Sequence, residues 1–191
     1  MFDHVTIRVS DLEASKLFYN LVFERIDFEG TPHDAADFYE WNDFSISRAG
    51  NEHPLTRRLH VAFVAPSNDH VDEFWSTLTA AGYRDDGAPG RRPEYRDDYY
   101  GAFVLDPDGN SAEAVHFGNG REVGDVIDHL WIRVADLAAS KRFYETIVTV
   151  LGLRIAGERA ERFYDRPAPA TWKRSARSPA MRKPSTVTIV S

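Results

Sequence analysis

The chain has no cysteine. That excludes a disulfide framework and any thiolate metal site, so a metal here must be held by histidine, carboxylate or water. It also has no apolar run near the roughly 18 residues that suggest a membrane span. Its opening, MFDHVTIRV, lacks the basic start and apolar core of a secretory signal, so the expected location is the cytosol, with no membrane partner. A net charge of −7 argues against nucleic acid as a partner. Acidic residues are missing from one stretch: Arg166 to Ser191 carries six Lys or Arg and no Asp or Glu. This part is rich in Pro, Ser and Ala, and its composition predicts a disordered basic tail over 166–191.

What is present is repetition. DHVTIRVSDLEASKLFY from Asp3 and DHLWIRVADLAASKRFY from Asp128 are identical at roughly two thirds of their positions, which is the mark of a duplicated structural unit. A fainter copy, LHVAFVAPSNDHVDEFWSTL, lies between them. In all three the histidine (His4, His60, His129) precedes an aromatic pair by the same step: Phe18-Tyr19, Phe74-Trp75 and Phe143-Tyr144.

Each unit reads as strand, turn and helix. In HVTIRV the residues Val5, Ile7 and Val9 share one face, and His4, Thr6 and Arg8 the other. Ser10 or Asp11 can cap the helix that follows. Leu12, Ser15, Phe18, Tyr19 and Val22 fall on one helical stripe, which can cover the Val5 face and leave the His4 face free. Short strands follow: ADFYEW and DFSISR around Asn42-Asp43 in the first unit, YYGAFVLD and SAEAVHF around PDGN in the second. The pattern is strand–helix–strand–strand–strand, twice. The expected organisation is one domain over 1–118 with modules at about 1–52 and 55–118, then a linker over 119–127. A partial repeat of the first module over 128–165 and the tail complete it.

If the two modules face each other, their first strands come together and His4 and His60 point into one space. Glu113, Val115 and Phe117 share a face of the last strand. A carboxylate among apolar neighbours needs a partner or a metal. Two imidazoles and one carboxylate with open positions suit Fe(II), Mn(II), Ni(II), Co(II) or Zn(II).

On these residues the sequence resembles the vicinal oxygen chelate superfamily, which includes glyoxalase I, fosfomycin-resistance thiol transferases, extradiol dioxygenases and bleomycin-binding proteins. The stretches that carry the likeness are DHVTIRVSDLEASKLFY, LHVAF and YYGAFVLDPDGNSAEAV. The resemblance implies an α+β fold in which paired βαβββ modules form a half-open barrel, here followed by an incomplete third module. It implies one divalent metal ion on His4, His60 and Glu113, with a small-molecule substrate chelated through neighbouring oxygens. Glyoxalase I uses a further Glu on the last strand of the first module. Ser45 or Ser47 stands there instead, which speaks against that isomerisation and toward the two-His, one-Glu branches.

Around this centre Glu113 and Tyr100 are the candidate catalytic groups, and Arg8, Phe38, Trp41 and Tyr99 the candidate substrate pocket. The alternative is a metal-free protein that binds a drug or metabolite. His129 would begin a second site, but no later LHVAF-like or DPDGN-like strand follows it. The third unit is therefore expected to be a truncated remnant, or else to dock on a second copy and form a homodimer.

Overall fold

A computed structural model describes residues 3–118, 126–150 and 185–190. The first module runs β1 (Val5–Val9), α1 (Leu12–Arg25), β2 (His33–Asp34), β3 (Phe38–Trp41) and β4 (Phe44–Arg48). The second runs β5 (His60–Val64), α2 (Asn68–Ala80), β6 (Asp85–Arg91), β7 (Tyr100–Leu105) and β8 (Ser111–His116). The third unit supplies β9 (Ile127–Val134) and α3 (Leu137–Val150), and β10 (Ser185–Val190) follows. The two complete modules have the same strand order, β1-β4-β3-β2 and β5-β8-β7-β6, so the paired βαβββ reading of an open α+β fold holds.

Local sequence accounts for the elements. Asp11 caps α1 by accepting the Ala14 N–H at 3.0 Å, which satisfies one of the first-turn donors that have no helical partner. Asp136 repeats this 125 residues later, accepting the Ala139 N–H at 2.9 Å. The α1 stripe Leu12, Ser15, Phe18, Tyr19, Val22 and Phe23 is buried. Phe23 stacks on Trp41 with ring centroids 4.9 Å apart and meets Phe63 of β5 edge-on at 5.0 Å. Phe63 also meets Phe44 at 5.1 Å, so the aromatic core joins the two modules. Such offset and edge-on pairs add to what the buried area contributes.

The DPDGN turn ties both modules at one point. Asp106 accepts the N–H groups of Asp108 and Asn110 at 2.9 and 2.8 Å and the Tyr19 hydroxyl of α1 at 3.0 Å. Asp108 accepts the Ser10 N–H at 2.9 Å. The Asn110 amide accepts the Leu59 N–H and donates to the Thr56 carbonyl. The acidic residues of this motif are therefore spent on backbone and hydroxyl donors.

One expectation is corrected. The first strands of modules one and two do not lie side by side. β1 ends its sheet next to β4, whereas β5 lies between β8 and β9. The Val64 N–H bonds the Val126 carbonyl at 2.9 Å, while His60 at the other end of β5 meets His129, so β5 and β9 run in opposite directions. The Asp43 carboxylate holds the start of β9, accepting the N–H groups of Val126 and Ile127 at 3.0 and 3.3 Å. β9 is nearly a copy of β1, and it has taken the place that β1 was expected to fill.

By its contacts the chain divides into Met1–Leu130 with Ile189–Ser191, and Trp131–Thr188. Within the expected linker, 119–125 lie outside the described residues, and Ile127 already belongs to β9. Residues 151–165 of the partial repeat and 166–184 of the tail also lie outside them. β10 falls inside the stretch whose composition predicts disorder. Its sequence STVTIV is locally rich in β-branched residues, which favour strand, and it pairs with β9.

Candidate metal centre

The strand pleat builds this centre from one face. His60 and Ala62 alternate with Val61 and Phe63 along β5. Ala62 stands opposite Glu113 of β8, and Glu113 opposite Phe103 of β7. His60, Glu113 and Phe103 therefore rise on the face away from the Phe63 core. His129 of β9 completes the group. The nitrogen and carboxylate oxygen atoms of His60, Glu113 and His129 all lie within 4.8 Å of one another. No other group of three His, Cys, Asp or Glu so placed occurs among the described residues.

The three donor atoms make a tight triangle. His60 Nε2 is 2.9 Å from Glu113 Oε2 and 3.3 Å from His129 Nε2, and His129 Nε2 is 3.6 Å from Glu113 Oε2. Ligand atoms bound at about 2.1 Å to one ion stand roughly 3.0 to 3.4 Å apart, for angles between octahedral and tetrahedral. The observed edges of 2.9, 3.3 and 3.6 Å bracket that spacing.

Each donor is aimed from behind. His129 Nδ1 lies 2.7 Å from the buried Asp128 carboxylate, and a proton on Nδ1 leaves Nε2 with a free lone pair. His60 Nδ1 lies 3.1 Å from Ser111 Oγ. The Tyr99 hydroxyl donates to Glu113 Oε1 at 2.6 Å, so one carboxylate oxygen is held and Oε2 is turned to the imidazoles. Gly101 makes room for the carboxylate, since a Cβ there would stand 2.6 Å from Oε1. Glu113 is 1 % exposed. Burial pushes its carboxyl up to about 7, against the lowering effects of His129 and the Tyr99 hydrogen bond. Burial, then the Glu113 charge, raises the Tyr99 phenol far above its ordinary range, so this hydroxyl stays a donor.

The expected residues divide. His60 and Glu113 are in the group. His4 is not; it is exposed, pairs with Asp3 at 2.8 Å, and lines a separate cleft with Arg8 and Phe38. The reason is the pairing of β5 with β9, which brings in the third copy of the repeated histidine. Tyr99 stands beside Glu113, whereas the Tyr100 hydroxyl, on the opposite side of the pleat, donates to Asp72 of α2 at 2.8 Å. Trp41 is buried in the aromatic core, and its indole N–H donates to Asn20 at 3.1 Å. Register decides between the two serines: Thr6 stands opposite Ser45 as Ala62 stands opposite Glu113, so Ser45 holds the position equivalent to Glu113. Asp128, Ser111 and Gly101 were not foreseen. The Asp-His dipeptide repeated at Asp3-His4 and Asp128-His129 was the one sequence signal for Asp128.

A family model described as the Glyoxalase/Bleomycin resistance protein/Dioxygenase superfamily matches residues 1–114. The chain belongs to this superfamily. Among solved structures, a glyoxalase/bleomycin resistance protein from Albidiferax ferrireducens T118 is 31% identical with a TM-score of 0.53, over 61% of this chain and 98% of that one. A putative glyoxalase from Bacillus halodurans is 22% identical, TM-score 0.47, over 61% and 95%. A lactoylglutathione lyase from Agrobacterium tumefaciens is 21% identical, TM-score 0.45, over 61% and 92%. No curated protein matches the chain. The superfamily match ends before β9, so His129 lies outside the region that defines membership. No helix among the described residues is long and apolar enough to cross a membrane.

Proposed function

We propose that this glyoxalase-superfamily chain is a metal-dependent enzyme acting on a small molecule, with one divalent ion held by His60, Glu113 and His129. The observation that carries the reading is the convergence of two imidazole Nε2 atoms and one carboxylate oxygen, each fixed from its far side. When bound, such an ion supplies Lewis-acid polarisation of substrate oxygens. The residues do the rest. Asp128 and Ser111 set the imidazole orientations. Tyr99 keeps one Glu113 oxygen occupied, leaving Oε2 as the single free donor of that carboxylate. Phe103, whose ring lies 5.8 Å from His60, forms one wall of the site. The nitrogen and oxygen donor set accepts Fe, Mn, Ni, Co or Zn.

A second reading has its own support. The same groups satisfy one another without an ion, through the His60–Glu113 and Tyr99–Glu113 contacts, as they would in a metal-free protein that binds a drug or metabolite. Elemental analysis of the purified full chain separates the two. The enzyme reading expects near one equivalent of a divalent metal, lost in His129→Ala and kept in His4→Ala. No metal after reconstitution with each of the five ions sinks it and leaves the binding protein.

A further inference from the structure

One face of the β1-β4-β3-β2 sheet holds a polar cleft of about 370 Å³. Strand register lays out its floor in two rows. Arg8, Ser47 and Phe38 form one row across β1, β4 and β3, and Thr6, Ser45 and Glu40 form the other. The rows hold no metal-ligating trio, because Ser45 stands where the equivalent sheet carries Glu113. What they hold is two opposite charges, Arg8 and Glu40, neither of which forms an ion pair with another described residue.

Arg8 is half-buried. Its guanidinium donates through Nη1 to Ser47 Oγ at 2.6 Å, and Ser47 Oγ donates onward to the Asp37 carbonyl at 3.0 Å. Among the described residues no carboxylate lies within 4.0 Å of Arg8 and no cation within 4.0 Å of Glu40. A guanidinium has five N–H donors, and one is used here. Holding a partly desolvated charge without a partner is costly, and the serine chain fixes the guanidinium rather than neutralising it. The free N–H edge is the geometry that takes a carboxylate in a two-pronged bond. Glu40, two strands across and two residues along on the same face, offers an acceptor for an ammonium. Adjacent strands lie about 4.8 Å apart and residues about 3.3 Å along a strand, which puts the two Cα atoms roughly 12 Å apart; a small zwitterion hydrogen-bonded at both ends to these two long side chains fits that span. Thr6 Oγ1 and Ser45 Oγ, 2.8 Å apart, are polar groups between them, and the Phe38 ring gives an apolar wall. The volume is in the range of ordinary ligand pockets.

We infer that this cleft binds a small amino-carboxylate, its carboxylate on Arg8 and its amino group on Glu40, at a site separate from the His60–Glu113–His129 centre. The assignment does not depend on the metal reading.

Isothermal titration of the full chain, stripped of metal and then dialysed free of chelator, tests it, with L-phenylalanine, phenylacetate and phenethylamine as probes. L-phenylalanine is expected to bind saturably, and each single-charge analogue about tenfold or more weaker. Arg8→Met should abolish L-phenylalanine binding, and Arg8→Lys should weaken it because the two-pronged bond is lost. Glu40→Gln should weaken L-phenylalanine but leave phenylacetate unchanged. His129→Ala should leave all three unchanged. Circular dichroism checks that each variant is folded. Absence of saturable L-phenylalanine binding below about 10 mM, binding that survives Arg8→Met, or binding lost in His129→Ala overturns the inference. Phenylacetate binding as tightly as L-phenylalanine overturns the amino-carboxylate assignment.

Discussion

Replacing Glu113 by Gln should stabilise the metal-free protein, although the residue is a proposed ligand. Burial raises the Glu113 carboxyl from its ordinary 4.5 to about 7. In this pH interval the unfolded chain has released the proton and the folded chain still holds it. Stability is then full below pH 4.5, falls as pH rises, and levels off above 7. The interval spans about 2.5 pH units, from 4.5 to 7, and at about 1.4 kcal/mol per unit the loss is about 3 to 4 kcal/mol. Gln cannot ionise, keeps an acceptor for the Tyr99 hydroxyl, and offers an amide N–H toward His60. Urea unfolding in EDTA at pH 5 and pH 8 measures the effect. The variant should gain about 2 to 3 kcal/mol on the parent between these pH values. Adding excess Zn or Mn at pH 8 should reverse the order, because only the carboxylate completes the donor set. An unchanged gap between the two pH values, or a parent more stable than the variant in EDTA at pH 8, refutes the reasoning.

Gly101→Ala should displace the Glu113 carboxylate, since the added Cβ would stand 2.6 Å from Oε1. Metal affinity by competition titration should fall about tenfold or more while the circular dichroism spectrum is kept. Phe63→Ala removes the ring that joins the aromatic core of the two modules. It should cost about 3 to 5 kcal/mol in urea unfolding, and a cost below about 1 kcal/mol would place the joint elsewhere.

Much of the fold was legible because the repeat is local. Strand alternation, the Asp11 cap and the Pro-Asp-Gly turn each act over a few residues, and the repeated pattern carries the strand–helix–strand–strand–strand order of the first two units. The partner of β5 was not legible. β1 and β9 carry nearly the same sequence, so period and composition predict the same edge for both. The choice is made by contacts far apart in the chain: Asp43 on Val126 and Ile127, and Thr56 on Arg8. His4 and His129 therefore looked equivalent, and only the pairing distinguishes them. Tyr99 and Tyr100 raised the same difficulty in miniature. Adjacent residues on a strand face opposite ways, and the register fixes which hydroxyl reaches Glu113.

The pairing of β5 with β9 also orders events at the ribosome. β1 and β5 emerge well before β9 is made, and domains generally form as they emerge. For that interval β5 presents a bare edge, with a near-duplicate of its eventual neighbour already attached to the same nascent chain. An exposed edge templates whatever strand reaches it first, and neighbouring nascent chains carry the same β1. Fast elongation through residue 134 would shorten the exposure, and slow elongation would favour cross-paired chains. The duplication that completes the His60–Glu113 pair is thus expected to make yield sensitive to translation speed, which expression from genes recoded for slow and fast elongation measures.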